Sequence, residues 1–332
     1  MDINALNIGE NRQILQFSGY SYQEMKNDLH IYQRIFEDIV QINTIGRTID
    51  GREIFHLRIG AANARNQILI FAGIHGREYM TCQLVMDQTA DYARALLQKQ
   101  SYKGISYEEM SQICTIHVIP MVNPDGVTIS QMGPDAMQKE EVRKQVWAIA
   151  GKDRARMPWK KYFRYWKANA QGIDVNRNFD ALWETYSDGM ERPSSERYKG
   201  SAPGCTAEAR ALVELTEKEN FARTISYHSS GSVIYWSFGQ KGALAQQTKN
   251  FAKRIGNITG YTPDDDYEEL DPAGYKDWAL LKKGIPSLTI EIGRSESPLP
   301  PSAYKRIYRE NQHVWEETIL DILEEQRTDL CL

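Results

Sequence analysis

The residues best suited to chemistry are a histidine and a glutamate with two residues between them, His75-Gly76-Arg77-Glu78, placed where an apolar run ends. Ile68, Leu69, Ile70 and Phe71 are uncharged β-formers, so this run reads as a buried strand, and Gly73 and Gly76 loosen the backbone just beyond it. In sheets flanked by helices, ligand groups gather at the carboxyl ends of strands, where side chains converge on a crevice without disturbing the core. An imidazole and a carboxylate placed there are two of the three protein ligands that a catalytic zinc takes, the fourth position being left to water. The run TISYH, residues 224–228, reads as another strand with His228 at its carboxyl end, before the turn Ser229-Ser230-Gly231. Of the six histidines only His75 and His228 stand at such ends, which makes His228 the third candidate ligand. In SLTIEIG, Glu291 lies between Ile290 and Ile292. A carboxylate in so apolar a run is paired, protonated or facing a cavity, and a glutamate of raised pKa beside an activated water is what a general base requires.

The elements that must position these groups follow from the pattern around them. Residues 20–40 carry apolar side chains near helical spacing (Met25, Leu29, Tyr32, Ile35, Ile39) and predict a helix covering one face of a sheet. TIGRTIDGREIFHLRIG, residues 44–60, reads as a hairpin about the Asp50-Gly51 turn, with His56 an ordinary strand residue. Residues 79–98 predict a long helix and residues 113–122 another buried strand. That strand ends at Asn123-Pro124-Asp125-Gly126, whose residue types read as a tight turn. Residues 130–167, dense in charge and aromatics, read as a partly helical excursion over the crevice, and long excursions in compact domains are usually functional. A short strand at residues 173–175 then delivers Asn176 and Arg177, a guanidinium suited to gripping a carboxylate in two-pronged fashion with an amide beside it. Thr206 caps a helix running to about residue 220.

Bulk properties narrow the class. The chain has 332 residues, 41% hydrophobic and 25% charged, with a formal net charge of -4. It therefore has an ordinary soluble composition and no basic stripe for nucleic acid. No secretory signal is visible at its start, and no run approaches the length of a membrane span. Cys82, Cys114, Cys205 and Cys331 lie far apart without a C-x-x-C, which argues against a thiolate zinc site or a disulfide framework and for a reducing cytoplasm. No repeat or linker divides the chain, and the candidate groups span residues 75 to 291, so a single domain over residues 1–332 is expected.

Together, HGRE, NPDG, GIDVNRNF, SYHSSG and TIEIG resemble, in order and over nearly the whole chain, the zinc carboxypeptidases of the funnelin (M14) type. The resemblance implies an α/β class fold, a single-domain α/β/α sandwich with a mixed, about eight-stranded sheet. It implies one Zn2+ per chain held by His75, Glu78 and His228, with Glu291 as base, Arg177 and Asn176 on the substrate's carboxylate, and Arg77 as a further substrate contact. Where the family has an arginine that polarises the scissile carbonyl, Trp166-Lys167-Ala168-Asn169 puts Lys167, a point charge instead of a fork. At the bottom of the specificity pocket GYKDW puts Lys276, a cation that favours a substrate side chain bearing a carboxylate. The family's mobile tyrosine corresponds to Tyr267, Tyr275 or Tyr261. Within the family, WKANxxGxDxNRNF, GYKDW and TIEIGxxxSPLP look most like the bacterial γ-D-glutamyl-L-diamino acid endopeptidases. A small muropeptide substrate handled in the cytoplasm during wall recycling is therefore expected, without nucleic acid or membrane. Two alternatives stay open: a carboxypeptidase removing acidic C-terminal residues from ordinary peptides, and a catalytically silent muropeptide sensor.

Overall fold

Four largely apolar runs become adjacent central strands because each is buried on both faces and must be covered twice. The computed structural model describes residues 19–153, 157–187, 189–265 and 272–329. Its strands are β1 (Val40–Arg47), β2 (Glu53–Ile59), β3 (Asn66–Phe71), β4 (Ser101–Tyr102), β5 (Ile105–Ser106), β6 (Cys114–Ile119), β7 (Phe221–Ser229), β8 (Val233–Tyr235), β9 (Thr262–Asp264) and β10 (Ser287–Ile292). β4 and β5 form a separate ribbon, and the other eight make one sheet in the order β1-β2-β6-β3-β7-β10-β8-β9. The β6-β3-β7-β10 centre is parallel throughout, whereas β1, β2 and β8 join by antiparallel pairs. All four central strands therefore end on the same rim.

Alternation along β3 shows the two-sided burial. Ile68 and Ile70 enter a core shared with Met25, Leu84, Phe251 and Trp315, while Leu69 and Phe71 enter a second core with Leu212, Phe179 and Trp278. Helices Tyr22–Ile35, Met80–Leu97, Gly242–Thr259 and Val314–Asp329 supply the first layer, and Ala207–Lys218 with Tyr275–Trp278 the second. The result is the expected α/β architecture with a mixed eight-stranded sheet. No helix of the described residues is long and apolar enough to cross a membrane.

Several local expectations are revised. The first helix, capped by Ser21 and Glu24, stops at Ile35, and Val40 opens β1 instead of extending the helix, because a turn at residues 36–39 redirects the chain. Asn123-Pro124-Asp125-Gly126 is the start of a helix, Pro124–Met132, with Pro at a position needing no donor and the Asn123 side chain accepting from Gly126 N. Residues 173–175 form no strand. Val175–Arg177 is a single 3-10 turn, since Asp174 caps Asn176 N and diverts the backbone. The 130–167 excursion is mostly helical, Glu140–Asp153 and Trp159–Arg164, around its own cluster of Ile129, Val146, Phe163 and Trp166. His56 is a buried β2 residue whose Nε2 lies 3.0 Å from His117 Nδ1.

The β1–β2 turn anchors the rim. Buried Arg52 bonds Asp125 Oδ1 at 2.8 Å and also pairs with Asp50, whose carboxylate accepts from Gln138 N and Lys139 N, both at 2.8 Å. Burial raises the Asp125 pKa, and Arg52 opposes that rise. Replacing Arg52 by Leu strands two buried carboxylates. We expect a loss of about 3–5 kcal/mol in urea unfolding, and a change below about 1 kcal/mol would show that this triad does not hold the rim.

Candidate metal centre and active site

At the end of β3 three chain segments meet too closely for side chains. A Cβ on Gly76 would stand 2.4 Å from Gly126 O and 2.9 Å from Trp166 O, and one on Gly126 would stand 2.5 Å from Ala168 O. Asn123 stitches them: its Nδ2 donates to Ile74 O at 3.1 Å and Ala168 O at 3.2 Å, while its Oδ1 accepts from Gly126 N at 2.8 Å. Gly76 N donates to Lys167 O at 2.9 Å. The backbones flanking His75 and Lys167 are thereby fixed to each other before either side chain acts.

His75, Glu78 and His228 come together, all buried. His75 Nδ1 is 2.9 Å from Glu78 Oε1 and 3.1 Å from His228 Nδ1, and His228 Nδ1 is 3.2 Å from Glu78 Oε2. Four ligands set tetrahedrally at about 2.0–2.1 Å from a zinc stand roughly 3.3 Å apart, so this triangle is the size that a zinc requires. Two imidazole nitrogens facing at this distance cannot both offer lone pairs without a proton or a cation between them. The donor set and its geometry therefore fit the metal. Burial lowers the His75 pKa and also opposes ionisation of Glu78, but the two histidines hold the Glu78 carboxyl well below the usual carboxylate range. His228 loses by burial and gains more from Glu78, ending raised.

Asp174 had no role assigned from the sequence, although it sits inside the GIDVNRNF motif. It is fully buried, with Oδ1 3.2 Å from His75 Nε2 and Oδ2 3.2 Å from Lys167 Nζ. It thus orients the ring that presents Nδ1 to the cluster, as carboxylates behind metal-bound histidines do. Burial disfavours its charge, yet Lys167 and His75 hold its pKa well below the ordinary value. The available signal was an acidic residue two places before the Asn-Arg pair, in an otherwise apolar stretch.

Glu291 and His228 are register partners on the parallel strands β10 and β7. Glu291 is part-buried, and its Oε2 is covered without a hydrogen-bond partner. Burial, assisted by the Glu78 charge and resisted by His228, Lys167 and Arg77, pushes its carboxyl up to about 7.

The remaining residues lie around this centre. Arg77 Nη1 reaches Tyr165 O and Glu196 Oε2, each at 3.2 Å. Asn176 Oδ1 accepts from Tyr275 N at 3.1 Å, docking its turn on the helix that carries Lys276, and the Arg177 guanidinium lies 5.5 Å from the Tyr186 ring centre. Lys276 is buried, with Nζ 2.6 Å from Asp277 Oδ1 and 3.0 Å from Ser237 O, which accounts for two of its three protons. Of the three tyrosines, Tyr275 is in the core with its hydroxyl on Thr216 Oγ1, and Tyr261 is buried against Glu310 and Asn311. Tyr267 lies outside the described residues.

Comparison with known proteins agrees with this geometry. The profile of the zinc carboxypeptidase family matches residues 25–317. The γ-D-glutamyl-L-diamino acid endopeptidase 1 of Lysinibacillus sphaericus is 32% identical over 292 residues, covering 88% of this chain and 70% of that protein. A carboxypeptidase A structure from Helicoverpa armigera matches with a TM-score of 0.67 at 19% identity, covering 96% of this chain and 77% of that one. A murein-tripeptide amidase structure from Escherichia coli O157 matches with a TM-score of 0.51 at 18% identity, covering 82% and 92% respectively, and so shares the fold. The chain belongs to the M14 zinc carboxypeptidase family and is a zinc metallopeptidase.

Proposed function

We propose that this chain hydrolyses the γ-D-glutamyl–meso-diaminopimelate bond of peptidoglycan-derived peptides with one zinc per chain. The observation that carries the hydrolytic part is the convergence of His75, Glu78 and His228 beside a glutamate whose proton affinity is tuned near neutrality. His75, Glu78 and His228 would hold the zinc, which when bound would supply a Lewis acid that makes water nucleophilic near neutral pH. Glu291 takes the proton of the attacking water and hands it to the leaving amine, a task that suits a carboxyl of pKa about 7. Lys167 keeps one N–H on Asp174 and offers the others to the carbonyl oxygen as it gains charge. Asn176 and Arg177 hold the carboxylate of the leaving residue.

Support for the finer substrate comes from the activity named for the Lysinibacillus relative and from Lys276. Diaminopimelate carries a second carboxylate at the far end of its side chain. A buried ammonium held by Asp277 and Ser237 O is a natural partner for it. Cys82, Cys114 and Cys205 are free thiols, which fits a reducing compartment and a part in recycling wall fragments in the cytoplasm.

Three outcomes are expected. Glu291→Gln retains zinc by elemental analysis and loses about 10²–10⁴-fold in kcat, and unchanged turnover would remove Glu291 as the base. Asp174→Asn weakens zinc about 10–100-fold in chelator competition, whereas an unaltered affinity would leave it no orienting part. The zinc enzyme cleaves L-Ala-γ-D-Glu-meso-diaminopimelate but not an all-L peptide ending in Glu, and Lys276→Met narrows its preference for diaminopimelate over lysine. Cleavage of the all-L peptide alone would sink the murein reading.

A further inference from the structure

Lys167 and Asp174, whose side chains pair at 3.2 Å behind His75, are the two ends of one loop, and a single side chain fills the inside of that loop. Asn169 is fully buried. Its Oδ1 accepts from Gln171 N at 2.9 Å and Ile173 N at 3.1 Å, its N donates to Ile173 O at 2.9 Å, and its O accepts from Gly172 N at 3.0 Å. Residues 169–173 are thereby closed into a ring about one amide. The ring lies between Lys167 and Asp174, so its shape sets how those two ends stand toward each other.

The Asn169 oxygen is committed to the loop, so its Nδ2 must find an acceptor elsewhere, since a buried N–H without one is costly. That acceptor is Glu208 Oε2, at 3.1 Å. Glu208 stands in the first turn of the helix Ala207–Lys218, where acidic side chains ordinarily meet water and the helix dipole, yet it is only 1% exposed. Burial, assisted by the Asp125 charge and resisted in part by Asn169 and Arg210, pushes its carboxyl up to about 7. Protonated or not, the group keeps an oxygen that accepts from the amide.

The two ends of the loop are not held alike. Asp174 has anchors of its own: its N donates to Tyr198 O at 2.8 Å, and its carboxylate accepts from Asn176 N at 3.2 Å and Arg197 N at 3.3 Å. Lys167 is fixed at its backbone by Ser195 O and Gly76 N, but its ammonium reaches Asp174 across the mouth of the loop on a flexible four-carbon stem. A change in loop shape is therefore absorbed at the ammonium before it disturbs Asp174 on His75.

We propose that Glu208, acting through Asn169, is a positioning residue that sets where the Lys167 ammonium stands toward the scissile carbonyl, an inference that rests on the role given to Lys167 above. A misplacement of about 1 Å can cost about 10²-fold in rate. A contact that strengthens only as charge develops is lost from kcat and leaves KM in place.

The test is a double-mutant cycle on the zinc enzyme, with whichever of the two peptides compared above the unmodified enzyme cleaves. Glu208→Leu and Asn169→Ser remove the bond from opposite ends, so either serves if the other fails to fold. Each is expected to lower kcat about 10–100-fold, with KM within about two-fold and zinc affinity within about three-fold. Glu208→Gln keeps an acceptor oxygen and retains nearly full kcat. In a Lys167→Met background the same two changes lower kcat by less than about three-fold further, because the group they act through is gone. Full additivity with Lys167→Met, or a loss carried by KM, makes Glu208 a merely structural residue and overturns the inference. So does the failure of both variants to fold. A Lys167→Met enzyme of unchanged kcat overturns the role of Lys167 itself, and the inference falls with that reading.

Discussion

Two imidazole nitrogens and a carboxylate held within about a hydrogen bond of one another, with almost no water around them, is an arrangement that a protein core does not tolerate by default. The surrounding structure is arranged to permit it. Asp174 takes the far side of His75, Ser229 N donates to Glu78 Oε2 at 3.2 Å, and the two histidines supply the positive field that keeps Glu78 charged. Each of these contacts favours the state in which the cluster presents its donor atoms inward, toward a cation.

Holding that state requires stiffness, and the stiffness is in the backbone. The rim residues come from strand ends distant in sequence, but Asn123 and the glycines at 76 and 126 let three segments touch main chain to main chain. The backbones that carry His75 and Lys167 are thereby held to one another. The buried Arg52, Asp50 and Asp125 group carries the same anchoring outward to the hairpin turn. The chemistry thus sits on a frame whose tolerances are set by van der Waals contact, which is steeper than any electrostatic preference.

Several cationic side chains around the centre are held by neighbours of opposite or dipolar charge. The Arg177 guanidinium donates to Asn176 O at 2.8 Å, and Lys276 Nζ donates to Asp277 Oδ1 at 2.6 Å. Arg77 pairs with Glu196, and the backbone N of Arg197 donates to Asp174 Oδ2. A single carboxylate, Asp174, is in contact with His75, with Lys167 and with the backbone of Arg197. His75, Lys167 and the Arg197 backbone are therefore linked through one buried anion.

The sequence by itself determined what depends on local pattern. Apolar runs on both faces specify central strands, polar groups at their ends specify a rim, and the residue types there (His75, Glu78, His228, Glu291) narrow the chemistry, because such groups are costly to bury without partners. The hairpin about Asp50-Gly51 and the Thr206-capped helix were legible for the same reason. What only the tertiary structure decided depends on pairing between distant segments. The parallel register that sets Glu291 beside His228, the start of a helix where four turn-forming residues stood, and the 3-10 turn in place of a short strand all follow from contacts that no local window contains. Asp174 and Lys276 show the limit most clearly. An aspartate becomes an orienting residue, and a pocket lysine acquires a carboxylate partner, only when folding brings their neighbours within hydrogen-bond distance, since both energies fall away over a few ångströms.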